Sequence, residues 1–451
     1  MFRSINPATG DELATYPELT VHELEARIAR AAERFATWRF TPIADRTALL
    51  DKIAAEFYAR IEPMARMASM EMGKTLISAR AELQKCAAAF RYYAQNGEAL
   101  LTPQPIAGAD GEVHLLPLGP ILAVMPWNFP YWQVVRFIAP TILAGNVGLL
   151  KHASIVQGVA GMIEETLIAA GAPDGLFQNL AIKSDKVGAL IADDRIAAVT
   201  LTGSEGAGRS VAEAAGNALK KVVLELGGSD PFIVMPSADI DQAAKVAVTA
   251  RIQNSGQSCV CAKRMIVHAE VYEAFAAKFV AGMLAAKAGD PMDAASDMGP
   301  LSSFGQKETV LGQLEQAKAA GAKLVGGETL PGKGAYIGGG VLTEVPVDSA
   351  LAHEEIFGPI AMLFKVADID EAIRVANAIP FGLGSSVWTR DKGEEDRFIA
   401  EIEAGMTAVN QMLASMPEAP FGGIKRSGHG RELGAWGLHE FMNTKTVLRS
   451  S

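Results

Sequence analysis

Short apolar runs separated by segments of helical spacing recur through most of this chain, and that alternation limits its fold more than any other feature. ILAVM (121–125), VGLLK (147–151), LFQNL (176–180), IAAVTL (196–201) and KKVVLEL (220–226) are rich in Val, Ile and Leu and closely followed by turn residues. Helical spacing fills 131–144, 155–170, 184–192 and the stretch after the turn GSEGAG (203–208). Runs lacking polar alternation predict strands buried on both faces, and a strand–helix–strand succession predicts a parallel sheet covered by helices. A second series starts at PFIVM (231–235). It continues through a helix at 239–253, RMIVH (264–268), a helix at 271–288, AGAKLVGG (320–327), DIDEAIRVANAI (368–379), SSVWT (385–389) and GMTAVN (405–410). The expected class is therefore α/β, with two open-sheet domains.

The flanks differ. Residues 21–38 have the apolar spacing of a helix with Thr20 as its cap, and 43–99 read as two or three more helices. GEVHLLPL (111–118) and KTVLRS (445–450) read as strands outside both series, suited to pairing across a subunit boundary. A chain of 451 residues with 49% hydrophobic content has ample material for such cores. Its net charge of −10 argues against nucleic acid as a partner. Three cysteines, Cys86, Cys259 and Cys261, do not make a disulfide scaffold. The opening MFRSINPATG has no apolar signal core, and long apolar runs such as VVRFIAPTILAG are interrupted by Arg and Pro. A cytoplasmic protein with no membrane partner and no metal centre is expected.

Three side chains are candidates for chemistry. Glu225 ends an apolar strand beside Gly227 and Gly228. It is either a structural carboxylate paired with Lys220 or Lys221, or a general base in a semi-apolar pocket. Cys259 follows GQS in a loop after a helix, and is either a small buried hydrophobe or a nucleophile. Asn128 in MPWNFP either caps the following helix or offers an amide N–H to an oxyanion. LTGSEGAG (201–208) leaves a strand and opens a helix, where backbone N–H groups suit a phosphate. Lys151 ends the strand in LLKHAS, at the edge where open α/β sheets hold ligands.

Together these segments closely resemble the aldehyde dehydrogenase superfamily. The likeness rests on PWNFP, LLKHAS, LTGS, LELGGSDP, GQSC, EEIFGP (354–359) and PFGGIKRSG (420–428), in family order over essentially the whole chain. MPWNFPYWQVVRF, LELGGSDPF and GRELGAWGLHEF are most similar to the short bacterial succinate-semialdehyde dehydrogenases. The resemblance implies two Rossmann-type domains and a small β oligomerisation element. Residues 1–102 and 119–226 would bind the dinucleotide, 227–435 would form the catalytic domain, and 103–118 with 436–451 would mediate a homodimer or homotetramer.

It also implies roles. Cys259 would attack a small aldehyde, Asn128 and the Cys259 N–H would hold the oxyanion, and Glu225 would activate the water that hydrolyses a thioester. The two glycines would make room for Glu225. Pro126, Trp127, Asn128, Gly188, Gly203, Ser204 and Leu226 match cofactor-wall and pyrophosphate positions, Glu355 and Phe357 the nicotinamide-ribose contacts, and Lys151 and Ser154 the adenosine-ribose contacts. Ser154 stands where many NAD-preferring relatives carry glutamate, so NADP is favoured and NAD acceptable, with His152 as an added donor. Arg136 and Ser415 would clamp a substrate carboxylate. Gln253 and Glu418, where relatives place basic groups, argue instead for uncharged aldehydes. A cysteine-dependent esterase is the reading from another class. Cys261 is expected either to link reversibly to Cys259 or to be a buried spare thiol.

Overall fold

The computed structural model describes residues 1–450. Three helices follow the capped α1 (Val21–Trp38): α2 (Ile43–Ala59), α3 (Ile61–Met72) and the long α4 (Leu76–Leu101). Thr20 caps α1 in a reciprocal box with Glu23. These helices share one apolar core with a six-stranded sheet. Its order is Gly428–His429, Lys221–Glu225, Ala198–Thr202, Pro120–Met125, Val147–His152, Phe177–Asn179. All neighbours are parallel except the first pair. Chain order reverses between Pro120–Met125 and Ala198–Thr202, which opens a crevice at their carboxyl ends.

The second sheet has seven strands in the order Lys323–Gly326, Gly340–Thr343, Ile360–Val366, Arg264–His268, Pro231–Val234, Gly384–Trp388, Met406–Val409. Its side chains alternate between two cores. Ile233, Ile266, Met362 and Val387 face one, and Phe232, Val234, Met265 and Leu363 face the other. The sequence reading passed over two of these strands. IAMLFKV (360–366) carries Met, Phe and Lys rather than a β-branched run, and GVLT (340–343) is short. The helix Phe304–Ala319 was also unforeseen, because its apolar residues follow no clear stripe.

Two expectations about the flanks change. Gly111–Pro117 and Met442–Leu448 pair with each other inside one chain, in continuous antiparallel register from Met442↔Pro117 to Leu448↔Gly111. Gly111–Pro117 also pairs with Gln104–Pro105, whereas Met442–Leu448 keeps its other edge open. The division at residue 435 also shifts. Gly428–His429 already pairs with Lys221–Glu225, and the helix Gly434–Glu440 lies against α5 (Trp132–Ala144). The chain thus returns to the first domain before the terminal strand begins. Among the described residues no helix is long and apolar enough to cross a membrane.

One buried ion pair sets where α5 starts. Lys74 and Glu82 are both buried and in contact, with the Lys74 ammonium 4.0 Å from the centre of the Phe129 ring. Glu82 Oε1 accepts the backbone N–H of Tyr131 at 2.9 Å and of Trp132 at 2.8 Å. A carboxylate from α4 thereby satisfies N–H groups that the first turn of α5 leaves open. Replacing Lys74 by Met strands the Glu82 charge in the interior. Lys74→Met is therefore expected to cost about 3–5 kcal/mol, read as a lower urea midpoint. An unchanged midpoint would show that Glu82 holds the helix without its cation.

Candidate active site

Cys259 stands where two cavities meet. The larger, about 300 Å³, lies at the topological switch point. Its walls come from the carboxyl edge of the first sheet and from loops and a helix of the second domain, and include Pro126, Trp127, Asn128, Gly203, Ser204, Glu225, Leu226, Glu355 and Phe357. Trp127 and Phe357 meet edge to face at 5.7 Å between ring centres. The smaller, about 160 Å³, is lined by α4, α5, the cysteine loop and the 413–421 loop, with Lys85, Trp132, Arg136, Gln253 and Ser415 among its walls. Among the described residues only Cys259 and Gln133 line both.

The cysteine loop is held by buried cations acting on backbone carbonyls. Lys263 Nζ donates to Ser258 O at 2.9 Å and to Cys259 O at 2.7 Å, and pairs with Glu355 at 3.0 Å. Arg251, at the end of the helix Ile240–Ile252, donates to Ile360 O, Ile356 O and Gly358 O. These bonds fix a tight turn in which Asn254, Ser255 and Gly256 all have left-handed φ, +53°, +56° and +75°. A Cβ at Gly256 would lie 2.2 Å from Gly358 O, so only glycine fits there. Burial pushes the Cys259 thiol up to about 12, although Arg136 and Lys263 pull the other way. Cys261 is buried, and its thiol donates to Gln253 O.

Asn128 does not cap α5, since Glu82 does so. Its Oδ1 accepts from Gln133 Nε2 at 2.9 Å, and its Nδ2 donates to Gln257 O at 3.1 Å. Gln133 thus sets which face of the amide carries N–H, leaving one N–H of Nδ2 for a ligand. A glutamine inside the apolar run YWQVVRF was the available signal for it, and the sequence reading missed it.

Glu225 is buried, and neither carboxylate oxygen has a hydrogen-bond partner among the described residues. Lys221 pairs with Glu440 instead, and Lys220 donates to Asp193 O. Burial and the neighbouring Glu432 carboxylate push Glu225 well above the usual carboxylate range, against the pull of Arg136 and Arg431. The glycine that makes room for it is not the one expected. A Cβ at Gly422 would sit 2.5 Å from Glu225 Oε1, whereas a Cβ at Gly227 would strike the Glu355 carboxylate at 2.3 Å.

Lys151, Ser154 and Gly188 line neither of these two cavities. Lys151 ends its strand buried, without an ion-pair partner among the described residues, and Ser154 and Gly188 are exposed. His152 is not a free donor. Its ring is buried, with Nδ1 3.2 Å from Met125 O and Nε2 2.9 Å from Pro130 O, and burial depresses its pKa to about 4. Arg136 is no surface residue. It is buried on α5, with Nε 2.8 Å from Glu432 and its guanidinium over the Phe421 ring. Ser415 accepts from Trp132 Nε1 at 3.0 Å and from Lys85 Nζ at 2.8 Å. Glu418 turns out of the cavity to an exposed groove beside Arg91 and Tyr92, so it does not oppose an acidic ligand in the cavity. No cluster of three or more His, Cys, Asp or Glu suited to a metal occurs among the described residues.

The model of the aldehyde dehydrogenase family matches residues 1–447. A protein of Mycobacterium tuberculosis named succinate-semialdehyde dehydrogenase, NADP(+), 1 is 52% identical over 450 residues, covering 98% of each chain. A protein of Mycolicibacterium paratuberculosis with the name succinate-semialdehyde dehydrogenase, NADP(+), is 51% identical over 451 residues, covering 98% of this chain and 96% of its own. The crystal structure of succinic semialdehyde dehydrogenase from Streptococcus pyogenes with NADP+ superposes with a TM-score of 0.97 at 38% identity, covering 100% of both chains. A raised Cys259 pKa means the free protein holds mostly thiol. Alkylation of Cys259 by iodoacetamide is expected to accelerate about tenfold per pH unit between about 7 and 9, without a plateau. A plateau in that range would show that the loop stabilises the thiolate.

Proposed function

The chain belongs to the aldehyde dehydrogenase family, and from that premise we propose that it oxidises succinate semialdehyde, or a close aldehyde carrying a carboxylate, with NADP. The observation that carries this reading is the smaller cavity beside Cys259. It is short, and Lys85, Arg136 and Ser415 line it together. A cavity of about 160 Å³ holds a ligand of roughly six or seven heavy atoms, the scale of a four-carbon semialdehyde. The contrary observation is that Arg136 already faces Glu432, which favours a broader range of uncharged aldehydes.

The residues fit a dinucleotide. The crevice sits at the switch point, the Trp127 and Phe357 rings meet edge to face in its wall, and Lys151 is a buried cation without an ion-pair partner among the described residues. No carboxylate stands at Ser154 to repel a 2′-phosphate, which supports NADP. When bound, the nicotinamide supplies the acceptor for the substrate's hydride. Cys259 gives up its thiol proton to solvent as its sulfur adds to the aldehyde carbon, the C=O π pair moves onto oxygen, and the free N–H of Asn128 with the Cys259 N–H steadies the oxyanion that forms. Loss of hydride leaves a thioester on Cys259. Glu225, deprotonated, takes a proton from the water that hydrolyses it. The open edge of the strand Met442–Leu448 supports assembly into a homodimer or homotetramer.

The direct test is reduced-cofactor formation with succinate semialdehyde and with butanal, each with NADP and NAD. The reading expects the semialdehyde with NADP to give the highest kcat/KM. Butanal used equally well would overturn the substrate, and faster NAD turnover would overturn the cofactor preference. Glu225→Gln is expected to lower steady-state turnover by about 10²–10⁴-fold while keeping a burst of roughly one reduced cofactor per active site. Loss of the burst as well would place Glu225 before hydride transfer instead of after it.

A further inference from the structure

Two cations, Lys85 and Arg136, line the smaller cavity, and Lys85 is the one without a carboxylate beside it among the described residues. Lys74 pairs with Glu82, whose other oxygen is taken by the α5 N–H groups. Arg136 pairs with Glu432. Lys85 has no anionic partner among the described residues. Its Nζ donates to the neutral Ser415 hydroxyl at 2.8 Å and lies 4.3 Å from the centre of the Trp132 ring. It projects from α4, opposite the cysteine loop, and lines the same cavity as Cys259. Arg136 Nη2 is buried without a hydrogen-bond partner, so a second donor is left over beside it.

We propose that Lys85 is the principal carboxylate-recognising residue of the substrate cavity, with Ser415 and Trp132 holding its ammonium in place and Arg136 as a supporting donor. This assignment rests on the substrate reading above and deepens it. An incoming carboxylate supplies the missing counter-charge to Lys85 and an acceptor to Arg136 Nη2. An aldehyde without a carboxylate leaves both unsatisfied. A hydrogen bond between charged groups is worth roughly ten- to a hundredfold in binding.

The ammonium is also poised to titrate. Burial and the Arg136 charge lower the Lys85 pKa to about 8, partly offset by Cys86 and Glu82. The charged and titratable groups facing it are Glu82 and Cys86 on α4, Lys74 before α4, Arg136 on α5 with Glu432 behind it, and Cys259 on the loop. The group is charged below its pKa. Recognition of a carboxylate is therefore present at pH 7 and lost as pH rises through about 8, whereas recognition of butanal has no such step.

The experiment measures kcat/KM for succinate semialdehyde relative to butanal in the wild type, Lys85→Met, Lys85→Arg and Arg136→Met, from pH 6.5 to about 9.5. Lys85→Met is expected to lower the semialdehyde-to-butanal ratio about tenfold or more, through KM rather than kcat, and to abolish its pH dependence. Lys85→Arg is expected to restore most of the ratio and to move the pH step above the range. A wild type that does not prefer the semialdehyde overturns the substrate reading and this assignment with it. A wild-type preference that survives in Lys85→Met but falls in Arg136→Met overturns the Lys85 assignment alone. If Lys85→Met fails to fold, Lys85→Gln, which keeps a donor to Ser415 without the charge, is expected to lower the ratio in the same way. An unchanged ratio in that variant counts against the proposal equally.

Discussion

The contact on which the site depends is the buried carboxylate of Glu82 at the start of α5. A helix leaves its first N–H groups unpaired, and a buried helix start cannot leave that to water. Glu82 reaches across from α4 to satisfy two of them, and Lys74 keeps its charge tolerable in the interior. The result fixes where the chain stops being the PWNFP loop and becomes helix. Asn128, Gln133 and Arg136 take their positions from that point, and with them one wall of each cavity.

The opposite wall is held by a related device. Arg251, Lys263 and Arg264 are buried cations whose donors go to backbone carbonyls instead of to carboxylates alone. Carbonyls freed by an irregular turn need donors, and a cation with several N–H groups serves several at once. This lets the Asn254–Ser255–Gly256 turn persist in left-handed geometry, with Cys259 at its exit. Cys259 and Asn128 thus sit on two braced backbones that are tied to each other, Asn128 Nδ2 donating to Gln257 O and Asn254 Nδ2 to Asn128 O.

Charge inside the site is distributed unevenly for a physical reason. Glu225 and Glu432 share a buried region in which Arg136 is the nearest strong cation. That arginine cannot offset two carboxylates and also serve a substrate at full strength. Lys85, on another helix and paired only with neutral groups, is outside that competition.

Much of this was legible in the residues. Apolar runs without alternation announced parallel sheets, Thr20 announced the start of α1, and the ordered motifs brought Cys259, Glu225 and Asn128 forward as candidates. Local chemistry sufficed there, because strand burial, capping and nucleophile type are properties of short segments. Partners far apart in the chain were not legible. The room around Glu225 comes from Gly422 rather than Gly227, the amide of Asn128 is set by Gln133, and His152 is taken up by backbone groups, Nδ1 accepting from Ala153 N–H and Nε2 facing Pro130 O. Glu418 looked like an opposing charge, yet its loop turns it outward. The sequence by itself determined the two sheets and the chemical kinds of group at their carboxyl ends. Tertiary structure alone decided which charges neutralise one another, because pairing inside a low-dielectric interior depends on distances between elements that no spacing in the chain records.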